Sequence, residues 1–190
     1  MRKVLDYWKK FWGFLQEDSW PSFGVTLLLA FIMIKFVFFP GLSLITGTSL
    51  PLVIVESCSM YHDEAGLDSV FENDAYEDFG ISLADAGNWI FQNGFSKGDV
   101  IFVVAAKNIE VGDVIIFNGG SSYPIIHRVI DADDGEFITK GDNNPEIYNF
   151  DRDINEEQVI GKALFKVPAV GWAKLIFFEG RQPHNNKGMC

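Results

Sequence analysis

The run Leu50-Pro51-Leu52-Val53-Ile54-Val55-Glu56-Ser57-Cys58-Ser59-Met60 decides how this chain is read. An apolar, β-branched stretch leads straight into a tight polar corner. If the run is extended, successive side chains alternate between faces, so Ser57 and Ser59 share one side and Cys58 takes the other. Two hydroxyls on one side of a strand end can supply a nucleophile and an oxyanion donor. An isolated Ser-x-Ser after a buried strand is more often a plain turn. The surrounding chain has to decide.

Upstream of the run, Phe23 to Ile45 is apolar apart from small polar residues and one charge, Lys35. At about 1.5 Å per residue such a helix crosses a hydrocarbon core of about 30 Å. Ser19-Trp20-Pro21 reads as its start, and Pro40-Gly41 is expected to kink it or end it early. The run is too long for a signal-peptide h-region and no convincing small-x-small site follows, so an uncleaved anchor over 21–46 is expected. Lys35 is costly there unless it snorkels or faces a partner helix. Before the anchor, Val4, Leu5, Trp8, Phe11, Trp12 and Leu15 recur at helical spacing. They predict an amphipathic, Trp-rich interfacial helix over 1–20. Arg2, Lys3, Lys9 and Lys10 precede the span, and the first Lys or Arg after it is Lys97. The positive-inside rule then keeps the N-terminus cytoplasmic and puts the remainder on the outer face of the cell membrane.

The net charge of −11 argues against a nucleic-acid surface, which needs clustered Lys and Arg. Between Asp63 and Asp85 there are many carboxylates and no Lys or Arg, which reads as a solvated acidic insertion over 63–93 with short helices near 69–79 and 82–92. Cys58 and Cys190 are too few for a disulfide framework or a zinc site. The place of Cys190 at the end of a polar tail, 180–190, argues against a bridge between them. No metal or other cofactor is expected.

After the insertion the texture changes to short β runs punctuated by Gly-Asp turns. Val100–Ala105, Val114–Phe117, Tyr123–Ile130, Glu136–Lys140 and Val159–Val167 are predicted strands. The fold class is therefore mainly β. An amphipathic helix and one transmembrane helix precede a compact antiparallel domain over 47–179 that carries a small helical insertion. The apolar piece from Val170 to Phe178 is too short to span a bilayer and reads as a terminal strand or helix.

His127 interrupts an apolar strand, where a lone histidine is usually a satisfied core residue. Asp142 sits in Lys140-Gly141-Asp142-Asn143-Asn144, where a carboxylate usually bonds its own turn. Ser59, His127 and an Asp together supply the nucleophile, base and orienting group of acyl transfer.

Six short motifs in order now resemble type I signal peptidases, specifically the archaeal and endoplasmic-reticulum branch. They are Ser57-Cys58-Ser59-Met60, Lys97-Gly98-Asp99-Val100, Gly112-Asp113-Val114-Ile115, Pro124-Ile125-Ile126-His127-Arg128-Val129, Lys140-Gly141-Asp142-Asn143-Asn144 and Val159-Ile160-Gly161-Lys162-Ala163. His62, just after Met60, also suits the archaeal form. The resemblance implies a membrane-bound serine endopeptidase that cuts signal peptides from secretory precursors after small residues. It implies Ser59 as nucleophile, His127 as general base, and Ser57 with the Ser59 N–H as oxyanion hole. Of the family's two acids, Asp142 matches the one in the Gly-Asp-Asn turn. The histidine-orienting acid falls on Asp151, with Asp153 and Glu146 as rivals, because this chain is longer than the family pattern between the two acids. Leu52, Val53, Ile54 and Val55 would hold the precursor as an added strand. The implied partners are signal-peptide-bearing precursors and the lipid bilayer; the residues do not indicate whether further subunits assist.

Two departures stand out: Cys58 replaces the family's Gly, and the second acid is displaced. They favour the competing reading, a catalytically inactive membrane-anchored β module that binds secreted or membrane proteins. A second alternative keeps the peptidase and makes Lys140 the base.

Overall fold

A computed structural model describes residues 2–64, 66–71, 75–120, 123–178 and 190. Apart from Cys190, the polar tail expected over 180–190 lies outside the described residues. The chain forms two compact units, Met1–Ile45 and Thr46–Cys190, which are taken separately.

In the first unit, α1 (Arg2–Leu15) exposes Val4, Leu5, Trp8, Phe11 and Trp12. The Oγ of Ser19 caps α2 (Trp20–Met33) by accepting from the Ser22 N–H at 3.4 Å, and Pro21 falls in the first turn, where no donor is needed. Helical structure runs through a π turn (Ile34–Phe38) into α3 (Phe39–Thr46). The whole stretch Trp20–Thr46 is 27 residues and contains an 18-residue window of mean hydropathy 2.3, long and apolar enough to cross a membrane. Pro40 does not end it early. Its missing N–H would break a regular ladder, and the wider turn directly upstream is where the ladder adjusts. Lys35 lies in that turn, its Nζ 5.7 and 5.5 Å from the ring centroids of Phe31 and Phe36.

The second unit is built on one antiparallel sheet of seven strands: β1 (Leu52–Ile54), β2 (Val100–Val104), β3 (Val114–Phe117), β4 (Ile125–Asp133), β5 (Glu136–Lys140), β6 (Ile154–Asn155) and β7 (Val159–Val167). Their order is β1-β2-β7-β3-β4-β5-β6, so the last strand in sequence lies between β2 and β3 and joins the two halves. Register shifts at Phe102/Val103, Ile116/Phe117 and Val129/Asp131 bend the strands, because an unpaired residue increases local twist. Alternate residues of β3 serve two cores. Val114 and Ile116 join Val55, Met60, Phe95, Ile101, Val103 and Ala163, while Ile115 and Phe117 join Val129, Phe137 and Ile154. With apolar contacts on both faces, β3 is continuously hydrophobic rather than alternating.

The acidic insertion is less solvated than its charge predicts. Its helical pieces are short: α4 (Leu67–Val70), a 3-10 turn (Glu77–Phe79) and α5 (Leu83–Ala86). The described carboxylates face out, but Val70, Tyr76 and Ile81 form a third core with Ile130 of β4, flanked by Phe71, Phe79 and Trp89. The terminal apolar piece is a helix, α6 (Trp172–Phe178). Trp172 Nε1 donates to the Lys97 carbonyl at 3.0 Å and Leu175 is buried, whereas Ile176 and Phe177 are exposed.

Candidate active site

The corner begins where the chain leaves the sheet. Val55 is still paired with the β2 side: its N–H donates to the Asp99 carbonyl and its carbonyl accepts from the Gly98 N–H, both at 2.9 Å. Beyond it the backbone turns, with the Tyr61 N–H bonded to the Cys58 carbonyl at 3.1 Å, and Met60 is buried in the core. The Ser57 and Ser59 hydroxyl oxygens lie 3.2 Å apart. The two hydroxyls therefore share a side as expected, but through a turn and not through strand alternation.

The expectation for the cysteines is overturned. Cys58 and Cys190 form a disulfide across a sequence separation of 132, with Cα atoms 5.6 Å apart, inside the bonding range. Sequence position is a poor guide here, because the fold returns residue 190 to the corner. Cys58 is not among the residues with positive φ, so an L side chain fits where the related family carries Gly.

His127 sits on β4, buried, opposite Ile115 of β3. Its Nδ1 lies 2.5 Å from Asp151 Oδ1. That same oxygen accepts from Thr139 Oγ1 at 2.6 Å, and Oδ2 accepts from the Tyr148 N–H at 3.3 Å. A short 3-10 turn, Asn149–Asp151, holds the carboxylate in this fully buried position. A carboxylate on Nδ1 fixes the tautomer with its proton there and leaves Nε2 as the acceptor. Of the rival acids, Glu146 and Asp153 are exposed.

Asp142 does not meet His127. Adjacent residues of a strand point to opposite faces, and Arg128, next to His127 on β4, takes Asp142. Arg128 Nε donates to both carboxylate oxygens at 3.0 and 3.1 Å, and Nη2 adds a bond of 2.8 Å. His62 Nε2 and the Tyr76 hydroxyl each approach the same carboxylate at 2.8 Å. The guanidinium also donates to the carbonyls of Ile90, Phe91 and Gly112 and stacks 5.0 Å from the Trp89 ring. Burial works to raise the Asp142 pKa, but Arg128 and His62 outweigh it and hold the carboxyl well below the usual carboxylate range. Burial and the Asp142 charge push the Tyr76 phenol well above its ordinary value. This buried network locks the insertion onto β4.

Lys140, the alternative base, is a staple for the following turn. Its Nζ donates to the carbonyls of Gly141, Asp142 and Asn144 at 3.2, 3.2 and 2.9 Å. Burial pushes the ammonium pKa down, with the charges of Asp142 and Asp151 pulling the other way. That turn is a common wall for the site. The Asn143 N–H donates to the Ser59 carbonyl at 2.8 Å and Asn143 Nδ2 to the Cys58 carbonyl at 3.0 Å. A Cβ on Gly141 would lie 2.7 Å from His127 Nε2, so the imidazole packs directly on glycine backbone.

Among the described residues, β1 has one strand neighbour, β2. Pro51 and Val55 bond toward β2, and alternation turns Val53 the same way. The peptide groups of Leu52 and Ile54 are left facing the open edge. No group of three His, Cys, Asp or Glu placed to hold a metal ion occurs among the described residues.

The β unit thus carries paired serines on one segment and an Asp-held histidine on another, and the Gly141–Asn144 turn touches both segments. No family model matches the chain. It is similar to the signal peptidase complex catalytic subunit of Fusarium vanettenii, 28% identical over 171 residues that cover 83% of this chain and 78% of the relative. The subunit of the same name from Pyricularia oryzae is 26% identical over 175 residues, 84% of each chain. That of Neurospora crassa is 27% identical over 172 residues, 83% of this chain and 78% of the relative. The resemblance to endoplasmic-reticulum-type type I signal peptidases, carried at first by six short motifs, thus extends over most of the chain.

Several residues at the site carry no signal of their own in the sequence. Thr139 and Asn143 look like ordinary strand and turn residues. Tyr76 is one aromatic among many in the insertion. His62 stands out only by its place after the corner. Cys190 is recognisable only as the single possible mate of Cys58.

Proposed function

We propose that the chain is a membrane-bound serine endopeptidase that removes signal peptides from secretory precursors. The observation that carries this reading is the Asp151–His127 bond through Nδ1, which leaves Nε2 at the Gly141 turn, the same turn that binds the Ser59 carbonyl.

A precursor lies extended along the open edge of β1, pairing with the peptide groups of Leu52 and Ile54, while Val53 and Val55 keep the strand on the sheet. The Ser59 hydroxyl attacks the scissile carbonyl and His127 Nε2 takes its proton. Asp151 holds the ring and stabilises the imidazolium, and the Ser59 N–H and Ser57 hydroxyl receive the oxyanion. His127 then protonates the leaving amine. Water, deprotonated by the same nitrogen, releases the acyl group and restores Ser59. Asp142 acts at one remove, fixing Arg128 and hence β4.

The helix Trp20–Thr46 would anchor the enzyme with its N-terminus cytoplasmic and the β unit on the outer face of the membrane. The names of the relatives mention a complex, so further subunits are proposed here too.

The test is cleavage of a secretory precursor by the full chain in lipid. Wild type should cut after a small residue. Ser59→Ala and His127→Ala should each lose about 10³-fold or more in kcat, the usual effect of removing a triad member. A well-folded wild type that cuts none of several precursors would favour the binding-module reading instead.

A further inference from the structure

The Cys58–Cys190 bond lies directly beside the proposed nucleophile, and its surroundings form a closed frame. Val55 is fixed to the sheet through Gly98 and Asp99. From Val55 the chain runs through Glu56 and Ser57 to Cys58, which is bonded to Cys190. The Cys190 sulfur accepts from the Lys97 N–H at 3.4 Å, and Lys97 adjoins Gly98, whose N–H returns to the Val55 carbonyl. The Lys97 carbonyl is held in turn by Trp172. Without the disulfide, what holds the hydroxyl-bearing stretch on its outer side among the described residues is the Lys174–Glu56 ion pair at 3.2 Å, which is partly solvent-exposed. An exposed pair of that kind restrains little. On the inner side Asn143 and Met60 remain.

From this frame we infer that Cys190 is a positioning residue for the Ser59 corner, and that full cleavage activity belongs to the oxidised chain. The inference rests on the peptidase reading for its activity term only. The bond forms when two thiols give two protons and two electrons to a disulfide oxidant, a protein or small-molecule disulfide that leaves as two thiols. Cytosolic thiol pools keep cysteines reduced, whereas the outside of a cell lets disulfides persist. The corner would then be set only after the β unit has crossed the membrane, which ties the activity to the compartment in which precursors emerge.

The experiment uses the full chain in lipid or detergent. Thiol alkylation before and after reduction should show both cysteines blocked in the oxidised protein and free afterwards. Reduction with a phosphine should lower kcat by about tenfold or more, in line with the cost of small misplacements, with KM within about twofold. Oxidised glutathione should restore the rate. Cys190→Ser should match the reduced chain, should not slow further with the phosphine, and should not regain the rate with oxidised glutathione. Hydrogen exchange supplies a readout independent of cleavage: amides of residues 56–61 should exchange faster after reduction, and those of β3 and β7 should not. Free thiols in the oxidised protein, unchanged exchange at 56–61, or a Cys190→Ser variant as fast as wild type would each overturn the inference. Faster exchange at 56–61 in a chain that cuts no precursor would support the positioning role and count against the peptidase reading alone.

Discussion

The Oδ1 of Asp151 lies 2.5 Å from His127 Nδ1, whereas Asp142 is bonded to Arg128, His62 and Tyr76. Two acids from one stretch of chain therefore have different partners and, in the proposed mechanism, different tasks. Asp151→Asn should leave the melting temperature within a few degrees and reduce kcat by about 10³- to 10⁴-fold, because the wrong tautomer or orientation of the imidazole disables the base. Asp142→Asn should instead destabilise by about 3–5 kcal/mol, since it leaves the buried Arg128 without its counter-charge. Denaturant unfolding and single-turnover cleavage on both variants would show the contrast. Equal stability loss in the two would remove the division of labour.

Asp142 also sets an acid limit. Its folded pKa is depressed below an unfolded value of about 4, so the stability it contributes is complete above that pH. That contribution is lost as pH falls from about 4 toward the folded pKa, and the melting temperature should fall with it. The profile of Asp142→Asn, measured by calorimetry between about pH 6 and pH 2, should be flatter over the same window. Parallel profiles would show that other carboxylates dominate.

Lys140 separates the histidine from the lysine mechanism. Lys140→Met keeps the length of the side chain but abandons three carbonyls, so a stability loss of about 1–3 kcal/mol is expected. The folded fraction should still cleave, while His127→Ala should not. Loss of cleavage in well-folded Lys140→Met, with His127→Ala active, would reverse the assignment.

Gly141→Ala tests the wall against which the imidazole packs. The added methyl would meet His127 Nε2 at 2.7 Å and Asn144 closer still, so ring or turn must shift. A displacement of that size should lower kcat by about tenfold to a hundredfold, with a smaller change in KM. Wild-type kcat in this variant would mean that Nε2 works in another orientation than the one seen here.

Local chemistry determined much of this protein in advance. The span Trp20–Thr46, the strands β3, β5 and β7, and the corner itself were legible because each follows from hydrophobic length, period or turn residues within a short window. The pairing of Ser57 with Ser59 was legible too, although a turn and not a strand produces it. Only the tertiary structure decided that β7 enters between β2 and β3, and that Cys190 returns to Cys58. It also assigned Asp151 to His127 and Asp142 to Arg128. These are contacts between residues far apart in sequence, chosen by which strand faces meet and which buried charges must be neutralised. Neighbouring residues on β4 carry that lesson most compactly. His127 and Arg128 differ by one step in the chain, and the alternation of a single strand sends one to the acid proposed for catalysis and the other to the acid that holds the fold together.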